Sequence, residues 1–461
     1  MAAIHKRLYA VMAVLACICC ALPLFAEYNY KGMPDSAMIR RNVEETWLYP
    51  PASVLREKQP EVLQNEAGEL FEVRFEETED RFFVIIAPRR AVTLSVYSQD
   101  GMSTMTSDVY AAEAYGSWIL TKNSADNSFV SIKYYIAPDT NVFVQFRSEG
   151  GTALADFVVY GSFAARGVQL GVPIEQLYTA SFADIAAWTR TTLPWQYIDI
   201  LPELYHSPQQ MVSVIRENLG RIVYTEDAVL EGDGTLVHLS SGAPFEAPDD
   251  MHDAENKLFL SSGGFVKWIV DGLLLPETGG ALKIEPLLRQ TTARSPISRS
   301  GVLEQTYNLD FALDWTRNLA AGAESVYTGS NMLYADSGVD VQIDPFASEL
   351  SPAGIAVSSG YIRNAGYPIQ TLQALFYVLA VQEPGKFYLG ALRETDMSQS
   401  PEIHFFTNCI AFFPYFDANA EFKIAVFMNG QEITLDRLEE AYPDTFVHLV
   451  RISASDMFFP E

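Results

Sequence analysis

Apolar and polar residues alternate along residues 66–165, and Pro, Gly and Asp separate the alternating runs. Runs rich in β-branched and aromatic residues recur at short intervals, at residues 71–75, 81–86, 91–97, 117–120, 129–136, 142–146 and 157–160. This spacing predicts an all-β sandwich of seven or eight strands. The preceding residues 27–65 are polar and rich in Pro, so we expect a lead-in segment with one short helix.

Beyond Gly171 the pattern changes to that of helices and then returns to that of strands. Helices are expected at residues 208–219, 265–275, 301–320 and 371–381. Strands are expected near the end of the chain, at residues 387–389, 409–413, 422–427 and 447–452. Helices followed by strands predict an α+β domain over residues 175–461, so we expect two domains in all.

The first 26 residues have the pattern of a secretory signal peptide. Lys6 and Arg7 precede a stretch without charge that ends in small residues, which predicts cleavage after Ala26 or, as a second choice, after Ala21. Two alternatives stay open. One is an uncleaved membrane anchor. The other is lipidation at Cys17, because residues 14–17 resemble a lipobox.

The composition narrows the class of protein. The 461 residues include 31 basic and 58 acidic side chains, and the net charge of −27 excludes a general nucleic-acid binder. Three of the four cysteines lie in the first 26 residues, so Cys409 alone would remain after cleavage. An exported chain without an internal disulfide favours a bacterial periplasm or cell surface.

Most motifs with a known chemistry are missing from the sequence. It has no nucleophile elbow, Walker loop, dinucleotide glycine fingerprint or zinc-protease motif. The histidines after residue 26 do not stand at metal-ligand spacing, so we expect neither a metal nor a cofactor. His448 alternates within an apolar strand and is expected to be a half-buried structural residue.

One motif suggests chemistry. Residues 260–272 read LSSGGFVKWIVDG, in which small residues lead directly into the predicted helix and place Ser262 at its N-terminus. The free N–H groups and the dipole at such a position stabilise an anionic nucleophile and a neighbouring oxyanion. The stretch resembles the Asp-Cys-Ser-Gly-Phe-Val segment of NlpC-type papain-like cell-wall cysteine peptidases. The order of elements over residues 205–430 is similar too. The resemblance implies a papain-like α+β domain.

The sequence departs from that family at both catalytic positions. Ser262 stands where the family has its cysteine, and a serine hydroxyl is a poor nucleophile without a base. The position of the family's histidine, just before the strand at 409–413, is occupied by Asn408, which cannot act as a general base. A looser alignment places His404 there, four residues earlier and on the same face of a regular strand. A third, orienting group would come from Asp417, Asn419 or Glu421.

Each candidate also has a simpler interpretation. Ser262 is then the N-cap of its helix. Cys409 is a small buried hydrophobic residue in a strand. His404 is an ordinary exposed residue at a strand edge.

Our leading hypothesis from the sequence is an exported bacterial envelope protein with a catalytically degenerate papain-like domain. That domain would act as a binding or scaffolding module for peptidoglycan peptides or a periplasmic protein. No nucleic-acid partner is expected, and the membrane is contacted only if the N-terminal segment is uncleaved or lipidated. The first alternative is an active cell-wall amidase or peptidase that uses Ser262 with His404. The second is a purely structural periplasmic protein. Active catalysis requires the Ser262 hydroxyl within about 3–4 Å of an imidazole nitrogen.

Overall fold

The structure is a computed structural model that describes residues 32–98, 101–247, 256–292, 309–347, 349–351, 354–356, 359–398, 400 and 402–460. The predicted signal peptide, including Cys17, and the first part of the helix expected at 301–320 lie outside the described residues. None of the helices in the described part of the chain has both the length and the apolar character needed to cross a membrane.

The N-terminal region is rich in β-structure, as predicted. Its strands are β1 (Glu61–Gln64), β2 (Leu70–Glu77), β3 (Arg81–Pro88), β4 (Arg90–Ser98), β5 (Gly101–Val109), β6 (Trp118–Asn123), β7 (Phe129–Tyr134), β8 (Val142–Glu149), β9 (Thr152–Val159) and β10 (Ser162–Gln169). Eight of them form one antiparallel sheet in the order β1-β2-β3-β6-β7-β8-β9-β10. Strands β4 and β5 pair with each other as a separate hairpin.

The sequence predicts a sandwich of two facing sheets, but the structure has these eight strands in one continuous sheet. Helices cover one of its faces: α1 (Ala37–Asn42), a π-helical turn (Glu44–Leu48), α2 (Ala52–Leu55), a 3₁₀ helix (Ile174–Tyr178), α3 (Phe182–Thr189) and a second 3₁₀ helix (Trp195–Tyr197). The ring of Phe182 lies 6.3 Å from the ring of Tyr134 in the sheet, and the ring of Trp195 lies 5.9 Å from that of Phe157. Alternation in a sequence reports that one face is buried, but it does not report what buries it.

The C-terminal region mixes helices and strands, as predicted. Its helices are α4 (His206–Asn218), α5 (Ser262–Thr278), α6 (Ile284–Leu287), α7 (Phe311–Thr328), α8 (Tyr334–Ser337), α9 (Leu372–Gln382) and α10 (Leu435–Ala441), and its short 3₁₀ helices are Pro202–Tyr205, Leu219–Arg221 and Ile369–Thr371. Its strands are β11 (Ile222–Tyr224), β12 (Ala228–Leu230), β13 (Leu236–His238), β14 (Leu258–Leu260), β15 (Glu349–Ser351), β16 (Gly354–Ala356), β17 (Tyr367–Pro368), β18 (Lys386–Asp396), β19 (Ile403–Phe416), β20 (Phe422–Met428), β21 (Gln431–Ile433) and β22 (Phe446–Ser453).

A six-stranded sheet in the order β17-β22-β18-β19-β20-β21 organises this region. Helices α5 and α7 pack against one face, where Leu389 and Phe413 are buried, and α9 packs against the other, where Tyr388 and Phe412 are buried. Because both faces are covered, the apolar residues of β18 and β19 form nearly continuous runs instead of alternating with polar ones.

The two regions share one apolar cluster. It extends from the eight-stranded sheet through α9 to the six-stranded sheet. The ring of Tyr160, just after β9, lies 5.9 Å from Tyr377 on α9 and 5.9 Å from Phe422 on β20. The Tyr377 hydroxyl also donates a hydrogen bond of 2.7 Å to the carbonyl of Tyr197.

Candidate functional site

Helix α5 places Ser262 at its first position. Ser261, not Ser262, is the N-cap, because its hydroxyl accepts the Gly264 N–H at 3.1 Å. The Ser262 hydroxyl instead reaches across to strand β19. It accepts the Cys409 N–H at 2.6 Å and donates to the Cys409 carbonyl at 3.2 Å. Ser262 is only 6% exposed.

The pairing of the strands explains why Cys409 needs this partner. The ladder between β19 and β20 begins at Ile410 opposite Met428, one residue after Cys409. The N–H and C=O of Cys409 lie beyond the end of that ladder, and a buried backbone group without a partner is costly. The hydroxyl of Ser262 satisfies both groups, so Ser262 joins the start of α5 to the unpaired edge of β19.

His404 and Asn408 have partners on β18. The imidazole Nδ1 of His404 lies 2.9 Å from the Thr395 hydroxyl, and the Asn408 amide donates to the Glu394 carboxylate at 3.3 Å. Among the described residues, neither side chain hydrogen-bonds to Ser262. The register between β18 and β19 shifts where Leu392 pairs with Asn408 and Arg393 with Phe406. This bulge breaks the strict alternation that would place residues 404 and 408 on one face.

The three candidates for an orienting group, Asp417, Asn419 and Glu421, lie in the turn between β19 and β20. The Asp417 carboxylate accepts the N–H groups of Asn419 at 2.9 Å and Glu421 at 3.0 Å, and Glu421 forms an ion pair of 2.9 Å with Lys423. These contacts hold the turn itself, and His404 takes no part in them.

Cys409 fits its simpler interpretation. Its side chain is completely buried within the cluster under α5 and α7. Burial raises the pKa of the Cys409 thiol to about 12, against the opposing effect of the Ser262 hydroxyl. The thiolate form is therefore negligible near neutral pH, and the residue is chemically inert while the protein is folded.

A buried polar cluster elsewhere in this region was not identified from the sequence as a site. Arg317 on α7 is 1% exposed, and its Nε and Nη2 donate to the two carboxylate oxygens of Asp340 at 3.2 and 2.8 Å. His448 on β22 completes the cluster, with its Nε2 3.0 Å from Nη2 of Arg317 and 3.3 Å from Oδ2 of Asp340. His448 is completely buried, more than its position in the strand suggested.

Further polar groups surround Arg317. The hydroxyls of Thr291 and Thr292 accept hydrogen bonds from its Nη1 at 3.2 and 2.9 Å, and Asn364 Oδ1 accepts one from Nη2 at 3.0 Å. The Tyr334 ring lies 4.6 Å from the guanidinium carbon, and its hydroxyl donates to Asp340 at 2.8 Å. A cavity of about 470 Å³ opens beside the cluster, and its walls include Thr291, Thr292, Tyr334, Asp340, Arg363 and Asn364.

The charges in this cluster can be assigned. Burial opposes ionisation of Asp340, but the hydrogen bond from His448 and the hydrogen bonds and charge of Arg317 hold its pKa well below the usual range. Burial lowers the pKa of His448, Arg317 acts in the same direction, and Asp340 opposes both. We therefore assign an ionised Asp340 paired with Arg317⁺ and a neutral His448. The signal in the sequence that could have revealed this cluster is a single charged or polar residue on an otherwise apolar face, His448 on β22 and Arg317 on α7.

Metal binding finds no support in the described part of the chain, where no group of three or more His, Cys, Asp or Glu side chains is arranged to hold an ion. Asp340 and His448 together are only two such groups.

Comparison with known proteins finds similarity in the N-terminal region. A family model described as a domain of unknown function (DUF8515) matches residues 29–197. This range contains the eight-stranded sheet together with the helices that cover its face, α1, α2 and α3. Neither the curated proteins nor the solved structures include a match to the chain.

Proposed function

We propose that this chain is an exported bacterial envelope protein with two domains. Its C-terminal papain-like domain is a non-catalytic binding or scaffolding module. The observation that carries the proposal is the position of the Ser262 hydroxyl, which bridges the N–H and the C=O of Cys409. The residue that would have to act as nucleophile thus donates its hydroxyl proton to one backbone group and accepts a hydrogen bond from another.

The lack of a base next to Ser262 further supports a non-catalytic role. A serine attacks a carbonyl only when a base removes its proton. The imidazole of His404 bonds instead to Thr395 at an exposed position of the strand. An active amidase or peptidase would need His404 to move to Ser262 and the Cys409 backbone to release the hydroxyl.

The N-terminal domain of the proposal includes more than the predicted residues 66–165. The match over 29–197 and the packing of α1, α2 and α3 on the sheet support a unit that contains its helical cover. In this proposal it presents the C-terminal module, whose ligands are peptidoglycan peptides or a periplasmic protein.

Export can be tested separately from binding. N-terminal sequencing of the protein isolated from bacterial envelopes is expected to read from Glu27. A blocked N-terminus at Cys17 with a bound lipid would instead indicate a lipoprotein. A protein that starts at Met1 or Ala2 and stays with the membrane would indicate an uncleaved anchor.

The module itself is tested with chain 27–461 and purified peptidoglycan sacculi. We expect the protein to sediment with the sacculi and to release no soluble fragments, and Ser262→Ala to behave in the same way. Ser128→Ala, in an exposed turn of the N-terminal region, is the matched control. Fragments released by the unchanged protein but not by Ser262→Ala would establish the peptidase alternative. If the protein neither binds the sacculi nor releases fragments, the result favours a structural protein.

A further inference from the structure

We propose that the cavity beside Arg317 and Asp340 is the ligand site of this module and that it binds a carboxylate group. This inference rests on the proposed function, because it assigns a site and a ligand class to the binding module. The cavity volume of about 470 Å³ lies within the range of small-molecule sites, roughly 300–1,000 Å³.

At the base of the cavity, the charge of Asp340 is neutralised by Arg317, and hydrogen bonds hold both side chains in place. Asp340 receives Arg317 Nε on one oxygen, and Arg317 Nη2 and the Tyr334 hydroxyl on the other. Its acceptor capacity is largely used and its charge is matched by Arg317. Asp340 is therefore unsuited to bind a cation from the cavity, and its role is to fix the guanidinium in place.

The donors that remain available lie on the wall. Asn364 uses its Oδ1 to accept from Arg317, which leaves both N–H groups of its amide for another partner. Thr292 accepts from Arg317 through its hydroxyl oxygen, so the hydroxyl proton remains available. Arg363 is exposed at the same cavity and forms no ion pair with any residue in the described ranges.

A tight turn presents Arg363 and Asn364 to the cavity. The N–H groups of Ala365 and Gly366 both donate to the carbonyl of Ile362, and the Ile362 N–H donates to Gly366. Gly366 has a φ of +97°, and a Cβ there would lie 2.0 Å from the Val447 carbonyl oxygen. The close approach to β22 therefore requires glycine and fixes the turn against the six-stranded sheet.

The chemistry of these groups indicates the ligand. One unpaired guanidinium beside an amide donor and a hydroxyl donor complements a planar acceptor with a single negative charge. A carboxylate has this form. Its source is either the C-terminus of a short peptide or the acid group of a sugar, and the experiment below distinguishes the two.

The test is calorimetric titration of chain 27–461 with acetyl-D-alanyl-D-alanine and with glucuronic acid, each compared with its uncharged amide. We expect one of the two acids to bind at least about tenfold more tightly than its amide, and the acid that binds identifies the source. Arg363→Gln is expected to reduce that affinity about tenfold. Arg41→Gln, at an exposed arginine of the N-terminal region, is expected to leave it unchanged.

Equal affinities for acid and amide, no binding of either acid, or full affinity in Arg363→Gln would overturn the inference. Thermal unfolding of each variant verifies that the exposed substitutions leave the fold intact. Sedimentation with sacculi distinguishes an error in the assignment of the cavity from an error in the proposed binding function. If Arg363→Gln sediments like the unchanged protein and neither acid binds, only the cavity assignment is wrong. If the unchanged protein does not sediment, the binding module is wrong as well.

Discussion

Among the described residues, each region of the molecule holds one arginine that is only 1% exposed, and the two have different surroundings. In the N-terminal region, Arg40 on α1 forms an ion pair with Asp35 at 2.8 Å and donates to the carbonyl of Ala180 at 2.6 Å. Its guanidinium carbon lies 5.2 Å from the Tyr134 ring and 5.7 Å from the Trp118 ring. Arg40 thus joins α1 and the start of α3 to the eight-stranded sheet.

Arg317 has more polar partners than Arg40, and most of them line a cavity. Its ion pair with Asp340 joins α7 to the residues that precede the six-stranded sheet, and Asn364 and Thr292 extend the network to the cavity wall. The comparison teaches that a buried ion pair by itself indicates a role in stabilising the fold. A site is indicated when donors around the pair remain available next to open space.

The largest expected effect that tests this comparison comes from removing the two carboxylates. Asp340→Ala leaves the buried charge of Arg317 without a counterion, and we expect a loss of about 3–5 kcal/mol in the free energy of unfolding. Asp35→Ala should cost less, roughly 1–3 kcal/mol, because Asp35 is 19% exposed and water can replace it beside Arg40. Urea denaturation of both variants measures the difference. An equal or larger loss in Asp35→Ala would contradict the expectation that Arg317 depends more on its carboxylate partner than Arg40 does.

An intermediate effect is expected at the start of α5. Ser262→Ala leaves the buried N–H and C=O of Cys409 without their partner, and the expected loss is about 1–3 kcal/mol. Ser128→Ala, whose hydroxyl lies in an exposed turn, should change the free energy of unfolding by no more than about 0.5 kcal/mol. If Ser262→Ala is as stable as the unchanged protein, the hydroxyl does not bond to the Cys409 backbone, and this result would favour the peptidase alternative.

The smallest expected effect is a pH dependence that arises from His448. Its pKa is lowered in the folded protein, so below the unfolded value of about 6.5 the unfolded chain binds a proton that the folded chain does not. Stability is therefore complete above pH 6.5 and falls as the pH decreases, by at most about 1.4 kcal/mol per pH unit. The groups that face His448 are Asp340 and Arg317, and Asp340 titrates only at much lower pH.

His448→Gln removes this titration, so its stability should depend less steeply on pH between 6.5 and 5 than that of the unchanged protein. Thermal denaturation at closely spaced pH values measures both slopes. Identical slopes would mean that His448 is protonated in the folded protein at the upper end of this range, contrary to the neutral state assigned from its burial.

Most elements of secondary structure could be predicted from the sequence. The alternation in residues 66–165 predicted the strands of the first sheet, and the apolar periodicity predicted helices α4, α5 and α9 and strands β18, β19, β20 and β22. These signals are local, because they arise from which side chains of one segment face a core. The predicted bounds of α5 differ from the observed ones. Ser261 caps the helix, and the hydroxyl of Ser262, which the local pattern also allows as the cap, bonds to Cys409 instead.

The tertiary structure decided how these elements combine. The sequence does not show whether helices or a second sheet cover the strands of the first region, because both bury the same apolar face. The bulge in β19 that separates residues 404 and 408 depends on the pairing with β18. The partner of Ser262 lies 147 residues away in the chain, and the Arg317 cluster joins residues 131 positions apart. Such contacts depend on how whole helices and sheets pack, and no periodicity within one segment carries that information.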